Sequence, residues 1–306
     1  MARTLLVLRA LGVGDLLTAV PALRALHRTH RAHRVVLAAP AALEPLALLT
    51  GAVDAVLAAH PLQPLSEAAK CADVAVNLHG RGPQSHRVLV EARPRRLIAF
   101  AHAEVPETAG APAWRPDEHE VKRWCRLLQE YGIPADPTNL RLPSAAGSHG
   151  ATVIHPGAAS PARRWPPDRW AKVAAAERAA GRRVVVTGGP AEAGLAHRVA
   201  DGAGLDRAAV LAGHTDLREL AEIVAGAGAV VAGDTGVAHL ATAFGTPSVT
   251  LFGPTPPALW GPPTAWRDRH VVLWKGSTGD PHAGAPDPGL LRIEPDEVIA
   301  ALRPLR

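Results

Sequence analysis

Ala229–Pro254 reads AVVAGDTGVAHLATAFGTPSVTLFGP, and its reading decides the fold. Ala229 to Ala232 is a short apolar run, the pattern of a parallel strand covered on both faces. Gly233-Asp234-Thr235-Gly236 is a turn with two glycines and two side chains able to cap a helix. Val237, Leu240, Ala241 and Phe244 then recur at helical spacing, and Gly245 stops the helix. Ser248 to Leu251 begins another strand that ends at Phe252-Gly253-Pro254. A strand, loop, helix and strand in this order leave the helix N-terminus open onto a polar, glycine-rich loop. Its free N–H groups and partial positive charge suit a phosphate. Asp234 either caps the helix or holds a ligand group. His239 lies opposite the apolar face, either solvated or one turn into an anion site.

Outward from that unit, the same alternation fills the chain. At 306 residues it exceeds the size at which one core stops growing, so two domains are expected. A hydrophobic content of 47% excludes a disordered chain. The net charge of +5, carried mostly by Arg, suits anionic ligands or an acidic surface, though a genome bias toward Arg, Ala and Pro explains it equally well; the basic residues do not run in blocks with aromatics, which argues against nucleic acid. Cys71 and Cys125 are isolated and make neither a disulfide framework nor a metal spacing. With no cleavage pattern at the N-terminus and no apolar run of about 18 residues, a soluble, cytoplasmic protein is expected.

In order, Leu5–Leu8 reads as a buried strand, followed by the loop Arg9–Asp15 and a helix carrying Leu16, Val20, Leu23 and Leu26, with Pro21 in its early turns. Strands follow at Val35–Ala38, Val53–Leu57, Val74–Leu78 and Leu97–Phe100, with helices at Leu43–Leu49, ending at Ala68–Cys71, and at His86–Ala92. Glu118–Tyr131 is an amphipathic helix with Val121, Trp124, Leu127 and Leu128 inward. Pro134–Gly150 has no periodicity and reads as a linker. Beyond it come strands at Thr152–Ile154, Arg183–Val186, Val210–Leu211 and Val271–Leu273, and helices at Asp168–Ala180, up to Ala200, at Leu217–Ala225 and at Pro295–Leu302. Two runs of alternating strands and helices predict an α/β protein of two doubly wound parallel-sheet, Rossmann-like domains facing a cleft, residues 1–145 and 146–306, with the last helix able to pack back on the N-terminal domain.

In such folds ligands sit beyond the C-terminal ends of the strands, which directs attention to five loops. Gly12-Val13-Gly14 opens like a dinucleotide fingerprint, but Leu17 fills the third glycine position and no acid follows Ala38, so a nicotinamide enzyme is disfavoured. The same loop supplies Asp15, either an N-terminal cap or a general base. His79-Gly80-Arg81-Gly82 follows another strand. His155 to Pro166 combines small residues, Ser160 and the pair Arg163-Arg164, suited to a diphosphate by two-pronged geometry. Glu192, after Thr187-Gly188-Gly189-Pro190, either accepts from ribose hydroxyls or complements a helix dipole. No Asp-x-Asp pair, metal spacing or Walker P-loop is present in the sequence.

Together these residues resemble family 9 glycosyltransferases, the heptosyltransferase-like group of GT-B fold. The similarity rests on Gly14-Asp15-Leu16-Leu17-Thr18 with Pro21-Ala22-Leu23, on His155-Pro156-Gly157-Ala158 leading to Arg163-Arg164-Trp165-Pro166, on Thr187-Gly188-Gly189 with Glu192, and on Gly233-Asp234-Thr235-Gly236 with His239 and Phe252-Gly253-Pro254-Thr255. The resemblance implies an inverting, metal-independent transferase without a cofactor. Asp15 would be the base on the acceptor hydroxyl. Ser160, Arg163, Arg164, Asp234, Thr235, Gly236 and His239 would hold the nucleoside diphosphate, and Glu192 the ribose. Gly14, His79 and Arg81 are the acceptor-side candidates. Where the family usually has Lys before Arg-Trp-Pro, this chain has Arg163. The expected donor is ADP-heptose; a GDP-, UDP- or other hexose donor, or a non-catalytic nucleotide-sugar-binding homologue, are the alternatives. The expected partners are thus a nucleotide-diphosphate sugar and a hydroxyl-bearing acceptor (glycan, lipid-linked or small molecule), with a membrane surface met only through the acceptor.

Overall fold

The computed structural model describes residues 3–144, 147–276 and 278–305. They form two compact units, one running to Leu140 and the other from Arg141. The expected boundary at 145/146 falls on Ala145 and Ala146, which lie outside the described residues.

The first unit contains β1 (Arg3–Leu8), α1 (Val13–Thr29), β2 (His33–Ala39), α2 (Glu44–Leu49), β3 (Ala55–Ala58), β4 (Val74–Asn77), α3 (Gln84–Glu91), β5 (Arg96–Ile98) and α4 (Glu120–Glu130). Its strands are all parallel, in the order β3-β2-β1-β4-β5. Leu5 to Leu8 are buried because helices cover both faces, which is why the strand reads as an unbroken apolar run. Leu8 is in register with Ala38 on one side and Asn77 on the other, so the loops after β1 and β4 leave the sheet at the same height.

Two expectations fail here. Pro21 sits mid-helix, because α1 starts at Val13 and runs for 17 residues. Its missing N–H leaves the Leu17 carbonyl without its helical donor, a cost tolerated because residues Leu16 to Ala22 are buried against the sheet. Ala68–Cys71 does not close an α-helix: only a 3₁₀ turn at Glu67–Ala69 forms, and Cys71 has φ 58°. A left-handed residue cannot continue a right-handed helix.

The second unit contains β6 (Thr152–His155), α5 (Pro167–Ala179), β7 (Val184–Val186), α6 (Ala193–Gly202), α7 (Leu217–Ala225), β8 (Ala229–Gly233), α8 (Gly236–Phe244), β9 (Ser248–Leu251), α9 (Pro257–Trp260), β10 (His270–Leu273), α10 (Pro288–Leu291) and α11 (Pro295–Leu302). Its parallel strands lie in the order β10-β9-β8-β6-β7. The expected strand at Val210–Leu211 is reduced to a single bridge from Val210 to Val186 beside the edge strand β7. Trp165 and Trp170 pack edge-on at 5.1 Å in a core shared with Leu290, Ile293, Val298 and Leu302, and α11 lies on α5. Trp165, which stands in the polar Arg163-Arg164-Trp165-Pro166 motif, is therefore a core residue, its Nε1 donating to the Ile293 carbonyl at 3.1 Å.

The aperiodic stretch expected as a linker forms neither helix nor strand among its described residues, yet it is held. Arg24 Nη1 donates to Asn139 Oδ1 at 2.7 Å in the first unit. In the second, Leu142 N donates to the Ala243 carbonyl and His149 Nε2 lies 2.8 Å from the Ile223 carbonyl. Gly245, with φ 66°, ends α8, and an added β-carbon would also meet the Arg141 guanidinium. We expect Gly245→Ala to lower stability by about 1–2 kcal/mol, the cost of forcing a side chain into the left-handed region, read as a lower thermal or denaturant midpoint.

Candidate functional site

In both sheets strand order reverses once: between β1 and β4 in the first unit and between β6 and β8 in the second. There the crossovers diverge, and the loops after the two strands open a crevice at the carboxyl edge. The predicted residues gather at these two points.

In the first unit Arg9 follows β1 directly and is buried, an exception for an arginine. Its Nε donates to the Asp15 carbonyl at 2.9 Å, its Nη1 to the Leu78 carbonyl, and its Nη2 faces Asp15 Oδ1 at 3.3 Å, Thr18 Oγ1 at 3.1 Å and Glu120 Oε1 at 3.0 Å. The guanidinium also stands 5.0 Å from the Trp124 ring. Asp15 lies in the first turn of α1 and accepts from the Gly12 N–H at 3.2 Å. It is thus a cap and a member of a charged network at once, with 28% of its side chain exposed. Burial raises its carboxyl above the usual 3.8; Arg9 opposes this and Glu120 reinforces it. Burial prevails because the Arg9 contact is long and shared.

Glu120 is buried on α4 and also accepts from Trp124 Nε1 at 2.9 Å and from Arg123 Nη1. Neither Arg9 nor Glu120 was singled out in the sequence. The available signal was a charged residue abutting a buried strand, but 111 residues separate the partners. His79, after β4, is half-buried, and burial with the nearby Arg9 charge lowers its ring to about 4. The His79 and Gly80 amides turn onto Asn77 Oδ1 at 2.8 and 3.3 Å. Arg81 is exposed on this loop and Gly14 is half-buried in the first turn of α1.

In the second unit the loop after β6 spans two anchor points. At one, Glu192 lies over Gly157, where an added β-carbon would sit 2.1 Å from Glu192 Oε1; its Oε2 accepts from the Gly189 N–H at 2.8 Å. Glu192 is therefore a helix-start carboxylate placed against backbone that only glycine leaves open. At the other, Arg163 Nη1 donates to the Asp234 carbonyl at 3.1 Å and stands 4.0 Å from its Oδ2. That carboxylate contact is at the limit for an ion pair, so the arginine's charge is only loosely compensated. Arg164 turns away, its Nε bracing the Ala158 carbonyl at 2.9 Å, and Ser160 Oγ accepts from the Ala162 N–H at 3.3 Å. Of the two expected helix caps, Thr235 holds the cap position of α8 without a side-chain bond, and its hydroxyl is buried without a partner among the described residues. Asp234 is buried just before it. Gly236 opens α8, and His239, half-buried on the next turn, meets the Trp260 ring edge-on at 5.9 Å. His155, buried at the end of β6, lies 3.1 Å from Thr187 Oγ1, and burial lowers its ring below the usual histidine range against the opposing pull of Glu192. Also unforeseen is the segment before α10: the Ala283 carbonyl accepts from the Ala162 N–H and Asp287 N donates to the Ala162 carbonyl, which clamps the arginine-bearing turn.

Among the described residues no group of three or more His, Cys, Asp or Glu is placed to hold a metal ion, and no helix is long and apolar enough to cross a membrane.

The model of glycosyltransferase family 9 (heptosyltransferase) matches residues 111–287, more than half of the chain. The chain belongs to this family. The matched stretch carries Ser160, Arg163, Arg164, Glu192 and Asp234 to His239, and begins after Gly14, Asp15, His79 and Arg81. Lipopolysaccharide heptosyltransferase 1 of Pseudomonas aeruginosa is 38% identical over 138 residues, 44% of this chain and 35% of that protein, so the match spans about a third of the relative's length. Among solved structures, a family 9 glycosyl transferase from Veillonella parvula superposes with TM-score 0.80 at 19% identity, over 99% of this chain and 97% of the other. The E. coli ADP-heptose LPS heptosyltransferase II gives 0.78 at 21%, over 99% and 98%. At such identities the likeness shows the fold, which is the GT-B fold the sequence implied.

The His79 ring should stay neutral down to about pH 4, against 6.5 for a free histidine. Between these values the folded chain binds fewer protons than the unfolded one, so stability should fall as pH drops through that window. Ring ¹⁵N shifts would report the neutral state, and His79→Gln should flatten the pH dependence of the denaturation midpoint.

Proposed function

We propose that the chain is an inverting glycosyltransferase that moves a heptose from ADP-heptose onto an acceptor hydroxyl without a metal ion. The observation that carries the proposal is the assembly, at one sheet edge of the second unit, of the family 9 residues that can hold a nucleoside diphosphate: Arg163 on Asp234, Glu192 over Gly157, and the open N-terminus of α8. Family membership and the names of the relatives supply the sugar and the nucleotide.

In this reaction the acceptor oxygen forms a bond to the anomeric carbon as the bond from that carbon to the diphosphate breaks on the opposite face. The hydroxyl proton passes to the Asp15 carboxylate. The negative charge that develops on the departing diphosphate is met by Arg163 and by the N–H groups of Gly236 and its neighbours, already aligned before the charge appears. Glu192 accepts from the ribose hydroxyls. The lipopolysaccharide named for the relatives makes a lipid-linked sugar hydroxyl the first acceptor to try.

Two variants separate chemistry from binding. Asp15→Asn should lose turnover by about 10²–10⁴-fold, measured as ADP release from ADP-heptose with heptose-deficient lipopolysaccharide, while ADP still binds with unchanged affinity by calorimetry. Gly157→Ala should push Glu192 aside and weaken ADP by about tenfold or more, the scale of one lost hydrogen bond to a charged group. Wild-type turnover by the Asp15 variant would remove it from the reaction, and tighter binding of GDP or UDP would reassign the donor.

A further inference from the structure

We propose that Arg9 and Glu120 are positioning residues for Asp15: Arg9 aims the carboxylate, and Glu120 holds Arg9 back from pairing with it fully. The inference rests on the reading of Asp15 as the base and adds how that base is kept competent. A carboxylate in bidentate contact with an arginine is a poor proton acceptor, because the pairing stabilises its charged form. Here the pairing is incomplete. Arg9 Nη2 has two hydrogens and three acceptors, Asp15 Oδ1 at 3.3 Å, Thr18 Oγ1 at 3.1 Å and Glu120 Oε1 at 3.0 Å, so the longest contact is the one to Asp15.

The remaining nitrogens grip backbone: Nε takes the Asp15 carbonyl and Nη1 that of Leu78. Each tie has a separate consequence. The Nε bond fixes the first turn of α1, which bears the base. The Nη1 bond joins that turn to the end of β4, across the point where strand order reverses. The Glu120 bond fixes the guanidinium from α4, and Glu120 is itself held by Arg123 and by Trp124 Nε1. With Oδ1 steered by Arg9 and Oδ2 by the Gly12 N–H, the part-exposed carboxylate keeps lone pairs free on its open side. The charged and titratable groups around Asp15 are therefore Arg9 after β1, Glu120 and Arg123 on α4, and His79 after β4, which the Arg9 charge reaches.

Glu120 and Arg9 should then move the Asp15 titration in opposite directions. Removing the Glu120 charge releases Arg9 to Asp15 and removes a like charge; removing Arg9 leaves two carboxylates and no cation between them. The probe is the Asp15 side-chain ¹³C signal in aspartate-labelled full-length protein, assigned by its loss in Asp15→Asn. Glu120→Gln should titrate at a midpoint lower by roughly one pH unit, and Arg9→Met at a higher one than wild type. Arg9→Lys, which keeps the charge but cannot make the forked backbone contacts, should lower kcat at least tenfold with little change in KM for ADP-heptose. If Arg9→Met fails to fold by circular dichroism, Glu120→Gln decides alone. An unmoved or raised midpoint in Glu120→Gln overturns the proposal. Opposite shifts in a protein whose Asp15→Asn variant still transfers sugar would leave the coupling standing and sink the assignment of the base, so the two failures are told apart.

Discussion

A parallel strand hands its chain to a loop at the carboxyl edge of the sheet, and where successive crossovers run in opposite directions two such loops part. Each unit of this protein has one such point, and the candidate residues other than Glu192, which follows the edge strand β7, lie on the loops that border it. Flush register does the rest. Leu8 lies level with Asn77, so Arg9 meets Leu78 one residue past the last pairing of β1 with β4, and His155 lies level with Ala232, two residues before the Asp234 that Arg163 reaches. The short connection from β1 to α1 leaves Arg9 little freedom to lie elsewhere, while the longer loop after β6 is held by the contacts of Arg163 and Ala162.

Two electrostatic solutions sit at these edges. In the first unit charge is buried and compensated. Arg9 is fully enclosed, which would cost several kcal/mol if unpaired, and every nitrogen of its guanidinium has an acceptor. Such a network fixes geometry and tunes a neighbour. In the second unit compensation is loose: Arg163 reaches a carbonyl well and a carboxylate only at 4.0 Å, and Thr235 at the α8 cap makes no side-chain bond to the helix N–H groups. The first arrangement suits a base that must stay in one orientation through a proton transfer. The second suits an anion that arrives and leaves.

Strands were legible wherever both faces are covered, since burial on both sides makes an unbroken apolar run, as in Leu5–Leu8 and Ala229–Gly233. Legibility failed where one residue had to decide an element. Val210 has the composition of a strand but only one pairing partner. Pro21 reads as an early-turn residue but lies mid-helix, where the burial of its neighbours outweighs one lost hydrogen bond. Trp165 stands in a polar motif and still belongs to the core, because the C-terminal helices cover it. The loops of the second unit could be named as a set from glycine, arginine and acid spacing, while the contacts among them could not.

The sequence by itself determined the two parallel-sheet units, the loops that carry polar chemistry and the family, because periodicity and short motifs are local properties of a chain. Only the tertiary structure decided that Arg9 and Glu120, 111 residues apart, share one buried charge site beneath Asp15, and that Gly157 exists to let Glu192 pass. Partners that distant leave no local pattern: strand order and register bring them together, and those are set by the packing of the whole sheet.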